Sequence, residues 1–377
     1  MKKLKIKVKR RYLRIGLRLS AITLCLAMLA FVPKAYAQVA PHAGVIAKET
    51  VLISAGFILP EGGESYIKEK YEESKKPPTT VPATQSTTEA AVTTTAVPAT
   101  EAATTTASTA AAPAGTLKVN ERQIKNTGLN YGSVWVKKQT NNKTIDVKTE
   151  LERAPQVKIK KNTDEPQVLI VHTHTTEGYM SEYTGTYSKD FNPRTTDKSK
   201  SVVSVGDIIT EKLNAEGIKT LHCTTYHDYP KYNGSYTRTE KTIKEYLQKY
   251  PSIQAVIDVH RDAMQDSDGT KTKPTATING KKAAQVMIIS GCDDEDKLSF
   301  PEWEKNMRLA VRIQKEMAEK YPGLARPILF PPFRYNMHLT KGSLIIEFGT
   351  DANTLEEAQY SGGMVGECLA NVLGRLS

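Results

Sequence analysis

Three apolar runs each deliver a residue able to bind a metal or move a proton. Val168-Leu169-Ile170-Val171 leads into His172-Thr173-His174-Thr175-Thr176-Glu177, Ala255-Val256-Ile257-Asp258-Val259 leads into His260, and Leu344-Ile345-Ile346 leads into Glu347. Histidine and carboxylate are the ligands that Zn²⁺ takes at catalytic sites, where three protein groups leave a fourth position for water. His174 and Glu177 stand at H-x-x-E spacing and can reach one ion from a strand-to-loop turn; His260 supplies a third ligand from another strand. Glu347 is the candidate general base and acid. Zn²⁺ is the expected metal, although such ligands also suit other divalent ions.

Residues two apart on an extended chain point to the same face, so His172 and His174 can both approach the ion. His174 is the preferred ligand; His172, still within the strand, would support the site from behind, or replace it. Asp258 and Asp262 flank His260-Arg261, and either can orient the imidazole; the plainer readings are a strand-end turn for Asp258 and a helix cap for Asp262. Arg261 suits a substrate carboxylate or a structural ion pair. An unpaired buried carboxylate costs several kcal/mol, which makes Glu347 hard to read as filler unless Arg261 or Lys341 pairs with it. Tyr226-His227-Asp228-Tyr229, with Tyr232 and Tyr236, reads as a polar aromatic loop suited to sugars or peptides, or as tyrosines packed on their own loop. His222, His227 and His338 have no evident partner and read as structural.

These residues need a scaffold, and the pattern from about residue 156 onward provides one. Strands are expected at 168–172, 218–222, 253–259, 285–290, 328–329 and 344–348. Helices are expected at 202–213, 239–250 (stopped by Pro251), 303–321 (closed by Pro322-Gly323) and 354–373. Such alternation predicts an α/β fold, a mostly parallel sheet with helices on both faces. Ligands of such sheets bind outside the carboxyl ends of the strands, where the histidines and Glu347 fall. Residues 116–155 are weakly patterned and read as a small β preface to a catalytic domain over 156–377.

The N-terminal third reads differently. The first 37 residues hold ten Lys or Arg and no acid, so the net charge of +11 leaves 11 − 10 = +1 for the rest. The basic balance is thus a targeting signal, and nucleic acid is excluded as a partner. Residues 19–32 form an apolar run that suits a signal peptide and is short for a membrane span. Ala35-Tyr36-Ala37 fits a cleavage site, so residues 1–37 are expected to export the chain, as an uncleaved membrane anchor or as a signal cut near Ala37. A short region over 38–76 precedes 77–115, a Thr/Ala/Pro-rich stretch expected to be a disordered linker. Three of the four cysteines, Cys223, Cys292 and Cys368, follow the targeting segment at no metal spacing and read as buried small hydrophobes.

The stretches VLIVHTHTTEGY (168–179), SVVSVG (201–206), GSYTRT (234–239), IDVHRDA (257–263) and LIIEFGTDAN (344–353), in this order, resemble the stage II sporulation protein P family. The resemblance implies a membrane-associated, zinc-dependent N-acetylmuramoyl-L-alanine amidase acting on peptidoglycan during engulfment, with stem-peptide endopeptidase activity as an addition or alternative. It also implies partnership with stage II sporulation proteins D, a lytic transglycosylase, and M, a membrane protein. In the wider group of cell-wall amidases the first histidine and the ligand glutamate stand further apart than His174 and Glu177, which brings Glu182 in as the alternative ligand. A non-catalytic wall-binding scaffold is the rival outside enzymology.

Overall fold

The computed structural model describes residues 115–376. The expected export segment (1–37), the region 38–76 and all but the last residue of the linker lie outside the described residues. Among those described, no helix is long and apolar enough to cross a membrane.

Among the described residues, twelve strands form two sheets, joined by five α-helices. In chain order they are β1 (Thr116–Arg122), β2 (Leu129–Tyr131), β3 (Val134–Lys138), α1 (Val147–Glu152), β4 (Val168–Val171), β5 (Thr186–Ser188), α2 (Val202–Ala215), β6 (Thr220–His222), α3 (Ser235–Lys249), β7 (Ala255–Asp262), β8 (Lys271–Ile278), β9 (Lys281–Ala284), β10 (Val286–Ile289), α4 (Trp303–Lys320), β11 (Ile328–Phe330), β12 (Leu344–Thr350) and α5 (Leu355–Gly374). The main sheet has the order β2-β3-β11-β10-β12-β7-β4-β6. Only β2–β3 and β10–β12 pair antiparallel within it; the other five neighbours are parallel.

Strand β4 is buried along its whole length, as the continuous apolar runs require of parallel strands covered on both sides. Leu169, Val171 and Val256 pack with Ile243 of α3, while Val168, Ile170 and Ile257 pack with Val205 and Ile209 of α2. Helices therefore cover both faces, and the alternation assigns each strand residue to one of them. Helix α2 starts at Ser201, whose hydroxyl accepts from Val203 N, and α5 starts at a capping box formed by Thr354 and Glu357.

A second, four-stranded sheet, β5-β1-β8-β9, was not legible in the pattern analysis. Its β8–β9 hairpin turns at Asn279-Gly280, both with positive φ, a strong short-range hairpin signal. The 116–155 segment does not stand apart as a preface: β1 joins this second sheet, and β2 and β3 extend the main one.

Candidate metal centre

The centre is built from one turn and two adjacent strands. Strand β4 ends at Val171, and the chain then turns, with Glu177 N donating to His174 O at 3.1 Å. Side chains from elsewhere in the fold pin this turn. Asp258 of β7 accepts from Thr173 N (2.8 Å) and Thr173 Oγ1 (2.6 Å). The Thr175 hydroxyl donates to His172 O (3.0 Å) and Thr225 O (2.8 Å). Asp228 accepts from Thr176 N (3.2 Å) and Thr176 Oγ1 (2.6 Å). Such over-determination fixes a ligand-bearing segment without help from regular secondary structure.

The turn brings His174 and Glu177 against His260. Glu177 Oε1 lies 3.0 Å from His174 Nδ1, and its Oε2 lies 3.4 Å from His260 Nδ1 and accepts from Arg261 N at 3.0 Å. One potential ligand atom from each of His174, Glu177 and His260 lies within 4.8 Å of the others, and all three residues are buried. Glu347 pairs in register with His260 across β12 and β7, which puts the carboxyl beside the cluster. Tyr232 stacks on the His174 ring (4.7 Å between centroids, 23°), and Tyr236 meets it edge-on at 5.5 Å.

Burial pushes the Glu177 carboxyl up, but the His260 and His174 imidazoles outweigh it and hold the group well below its ordinary range. Burial likewise works against a charged His260, yet Asp258 and Glu177 carry the ring well above its ordinary value. Burial drives Glu347 well above the usual carboxylate range, with Asp262 and Glu177 adding to the push and His260 opposing it. Three buried atoms here make no hydrogen bond: His174 Nε2, His260 Nε2 and Glu347 Oε2. His260 Nε2 is 2.9 Å from Asp258 Oδ1, an ion-pair distance. Unbonded buried polar atoms are uncommon, and a His–Glu–His donor set with such atoms fits a divalent cation of the zinc type.

Other predicted residues are placed elsewhere. His172 is not beside His174: two residues past Ile170 it keeps that residue's side of the sheet, and the chain turns before His174. Its Nδ1 donates to Val259 O at 2.9 Å and its Nε2 lies 2.7 Å from His222 Nε2, which uses both nitrogens. Burial depresses this imidazole to about 3. Gly206 of α2 permits the approach, since a Cβ there would lie 2.7 Å from His222 Nε2 and 2.8 Å from the His172 ring. Glu182 is exposed on the loop before β5 and outside the cluster, so it does not replace Glu177.

Asp262 neither orients His260 nor caps a helix; it ends β7 and pairs with Arg326 at 2.9 Å. Asp258 is the carboxylate next to His260, and it lies within the strand. The Arg261 guanidinium is turned to the backbone, donating to Gly178 O and Pro193 O at 3.0 Å each, which ties the ligand turn to its neighbouring loop. Lys341 reaches Gln156 and Glu302 at the surface and leaves Glu347 alone. Of the histidines without evident partners, His222 bonds Asp207 (2.9 Å) and His227 Nδ1 donates to His172 O (2.8 Å). Arg194, which bonds Asp228 at 2.8 Å and covers the Tyr232 ring at 4.5 Å, carries no local signal in the sequence.

Fold and cluster define a class: an α/β protein with a buried His–Glu–His centre and a buried carboxyl beside it at the ends of adjacent parallel strands. The family described as Stage II sporulation protein P (SpoIIP) matches residues 65–370. The chain belongs to that family. Stage II sporulation protein P of Bacillus subtilis (strain 168) is 31% identical over a 207-residue alignment that covers 52% of this chain and 48% of that protein. The match thus spans about half the length of the curated relative. Solved structures that resemble the chain include the N-acetylmuramyl-L-alanine amidase Ami1 of Mycobacterium abscessus (11% identity, 56% of this chain and 98% of that one, TM-score 0.33). Another is the N-acetylmuramoyl-L-alanine amidase of Clostridium difficile 630 (12% identity, 56% and 97%, TM-score 0.33).

Proposed function

We propose that this chain is a zinc-dependent peptidoglycan hydrolase of sporulation that cleaves the amide between N-acetylmuramic acid and L-alanine. The observation that carries the reading is the buried His174–Glu177–His260 cluster with Glu347 in register beside it. Membership of the family supports the sporulation context. His174, Glu177 and His260 would hold the ion. Bound Zn²⁺ supplies a Lewis acid that polarises the scissile carbonyl and makes water acidic near neutral pH.

The chain's own residues do the rest. A carboxyl raised by burial, like Glu347, moves toward the range where it can both accept and return a proton. Glu347 Oε2 takes the proton of the attacking water as the water oxygen bonds to the carbonyl carbon. It returns that proton to the alanine nitrogen as the carbon–nitrogen bond breaks. Asp258 holds Thr173 and faces His260, so one carboxylate keeps two ligand-bearing segments in register. Tyr232 and Tyr236 shield the His174 ring from bulk water.

The same reading places the protein outside the cytoplasmic membrane, anchored by residues 19–32 or freed near Ala37, with 77–115 as its tether. There it would act during engulfment beside the lytic transglycosylase and the membrane protein named above. Incubated with purified peptidoglycan, the protein is expected to release free stem peptides. A chelator should stop the release and Zn²⁺ restore it. Peptides that stay attached to muramic acid after cleavage would replace the amidase reading with an endopeptidase. Undiminished release by Glu347→Ala would remove Glu347 as the proton carrier.

A further inference from the structure

Among the described residues, three large apolar side chains are exposed: Leu129, Tyr131 and Tyr229. The first two lie on β2 at the edge of the main sheet. Tyr229, 56% exposed, stands in the loop between β6 and α3, and the metal centre uses other members of that loop. Asp228, directly before it, grips Thr176 of the ligand turn. Tyr232, three residues later, stacks on His174. Tyr229 is therefore a solvent-facing aromatic of a segment that touches the centre on both sides of it.

The loop is held firmly. Arg238 of α3 donates from Nε to His227 O and through its other nitrogens to Asn233 O and Lys231 O. Arg194 ties Asp228, and the Tyr226 hydroxyl donates to Thr196 O. The Tyr226 ring braces Tyr229 at 6.2 Å and 64°, with the Lys198 ammonium 4.8 Å from the Tyr226 centroid. A rigid tyrosine offers a large amphipathic contact at little ordering cost. Thr225, Lys231 and Asn233 are exposed along the same loop, with Pro230 beside Tyr229, so mostly hydrogen-bonding groups accompany the ring. One flat aromatic face among polar groups matches a pyranose, which packs its C–H face on the ring and leaves its hydroxyls to polar neighbours. An apolar peptide side chain would need a pocket closed on several sides.

We infer that Tyr229, braced by Tyr226, is a stacking subsite for a pyranose ring of the glycan strand beside the scissile bond. The inference rests on the peptidoglycan reading but can be tested apart from it. Glycan strands stripped of their stem peptides contain no bond for an amidase to cut, so binding to them isolates the subsite. Tyr229→Ala should weaken binding of stripped strands by the intact protein about tenfold. Tyr229→Phe, which keeps the ring, should stay within about twofold of wild type. Metal content and melting temperature should be unchanged in both variants, because the side chain faces solvent. If the wild type binds stripped strands through Tyr229 yet releases no peptides from whole wall, the subsite stands and the amidase reading falls. Equal binding by wild type and Tyr229→Ala, or none by wild type, overturns the subsite.

Discussion

Charge is buried in two neighbouring regions of this molecule, and it is treated differently in each. Where the second sheet meets α5, Lys273 Nζ lies 2.6 Å from Glu357 and 3.5 Å from Glu121, above the Tyr183 ring at 3.8 Å. Nearby, Lys271 bonds Asp351 and Arg326 bonds Asp262. Each cation there has a carboxylate. At the centre, His260 lies between Asp258 and Glu177, yet His174 Nε2 and Glu347 Oε2 have no hydrogen-bond partner. A fold able to pair its buried charges in one region leaves polar atoms unbonded in the next. Paired burial holds the sheets together, and the unbonded atoms at the centre are the ones that the proposed cation and substrate would satisfy.

That contrast is sharpest under mutation. Glu347→Gln is predicted to lower peptide release by about 10²–10⁴-fold, the usual scale for losing a general acid–base group, while the melting temperature holds or rises because a buried acid is removed. A melt that collapses together with activity would make Glu347 structural. His260→Ala should abolish stoichiometric metal binding, read by elemental analysis; unchanged metal content would remove His260 from the ligand set. In the paired region the signs reverse. Lys273→Met takes the cation from buried Glu357, while Glu121 keeps Lys282, so it should destabilise by about 3–5 kcal/mol in denaturant melts, with metal content per folded molecule unaltered. Loss of metal without loss of stability would break the division between the two regions.

Acidity tests the same division more gently. His260 is raised well above its ordinary 6.5 by Asp258 and Glu177 against the pull of burial, which favours a proton on the metal-free centre. A cation must displace it, and affinity should climb about tenfold per pH unit for one proton released, levelling off above the raised value. Metal-free stability has the opposite sign for this group. Its contribution is complete below 6.5 and fades as pH rises through the native value. Glu177, depressed from 4.5, contributes fully above 4.5 and loses its contribution as pH falls through its native value. Calorimetric titration with Zn²⁺ across the neutral range would expose the proton linkage, and a flat profile would deny it. The smallest effect is expected at Glu182, where Glu182→Gln on the exposed loop should change stability by no more than about 0.5 kcal/mol and leave metal content as it was; a fall in metal content would reinstate it as a ligand.

Much of this arrangement is readable from the chain alone. The apolar runs before His172, His260 and Glu347 identify parallel strands buried on both faces, because only such strands dispense with alternation. Helix caps and stops at Ser201, Thr354 and Pro251 bound the helices to within a turn, except that α3 begins four residues earlier than the pattern suggests. Chemistry-bearing types at the ends of three runs name His174, Glu177, His260 and Glu347 before any coordinates. The second sheet is another matter: β1 pairs with β8 across about 150 residues, and periodicity carries no information about partners so distant.

What only the tertiary structure decided is which member of each ambiguous pair reaches the centre. His172 and His174 are equivalent by spacing, and so nearly are Asp258 and Asp262. The turn after Val171, pinned by Asp258, Thr225 and Asp228, sends His174 to the α3 side and leaves His172 beneath Gly206 of α2. Arg326, arriving from 64 residues away, claims Asp262 and leaves Asp258 to face His260. Local pattern fixes the face of a residue only while the strand lasts. Past its end the direction of a side chain belongs to the hydrogen bonds that hold the turn, and those come from remote parts of the chain.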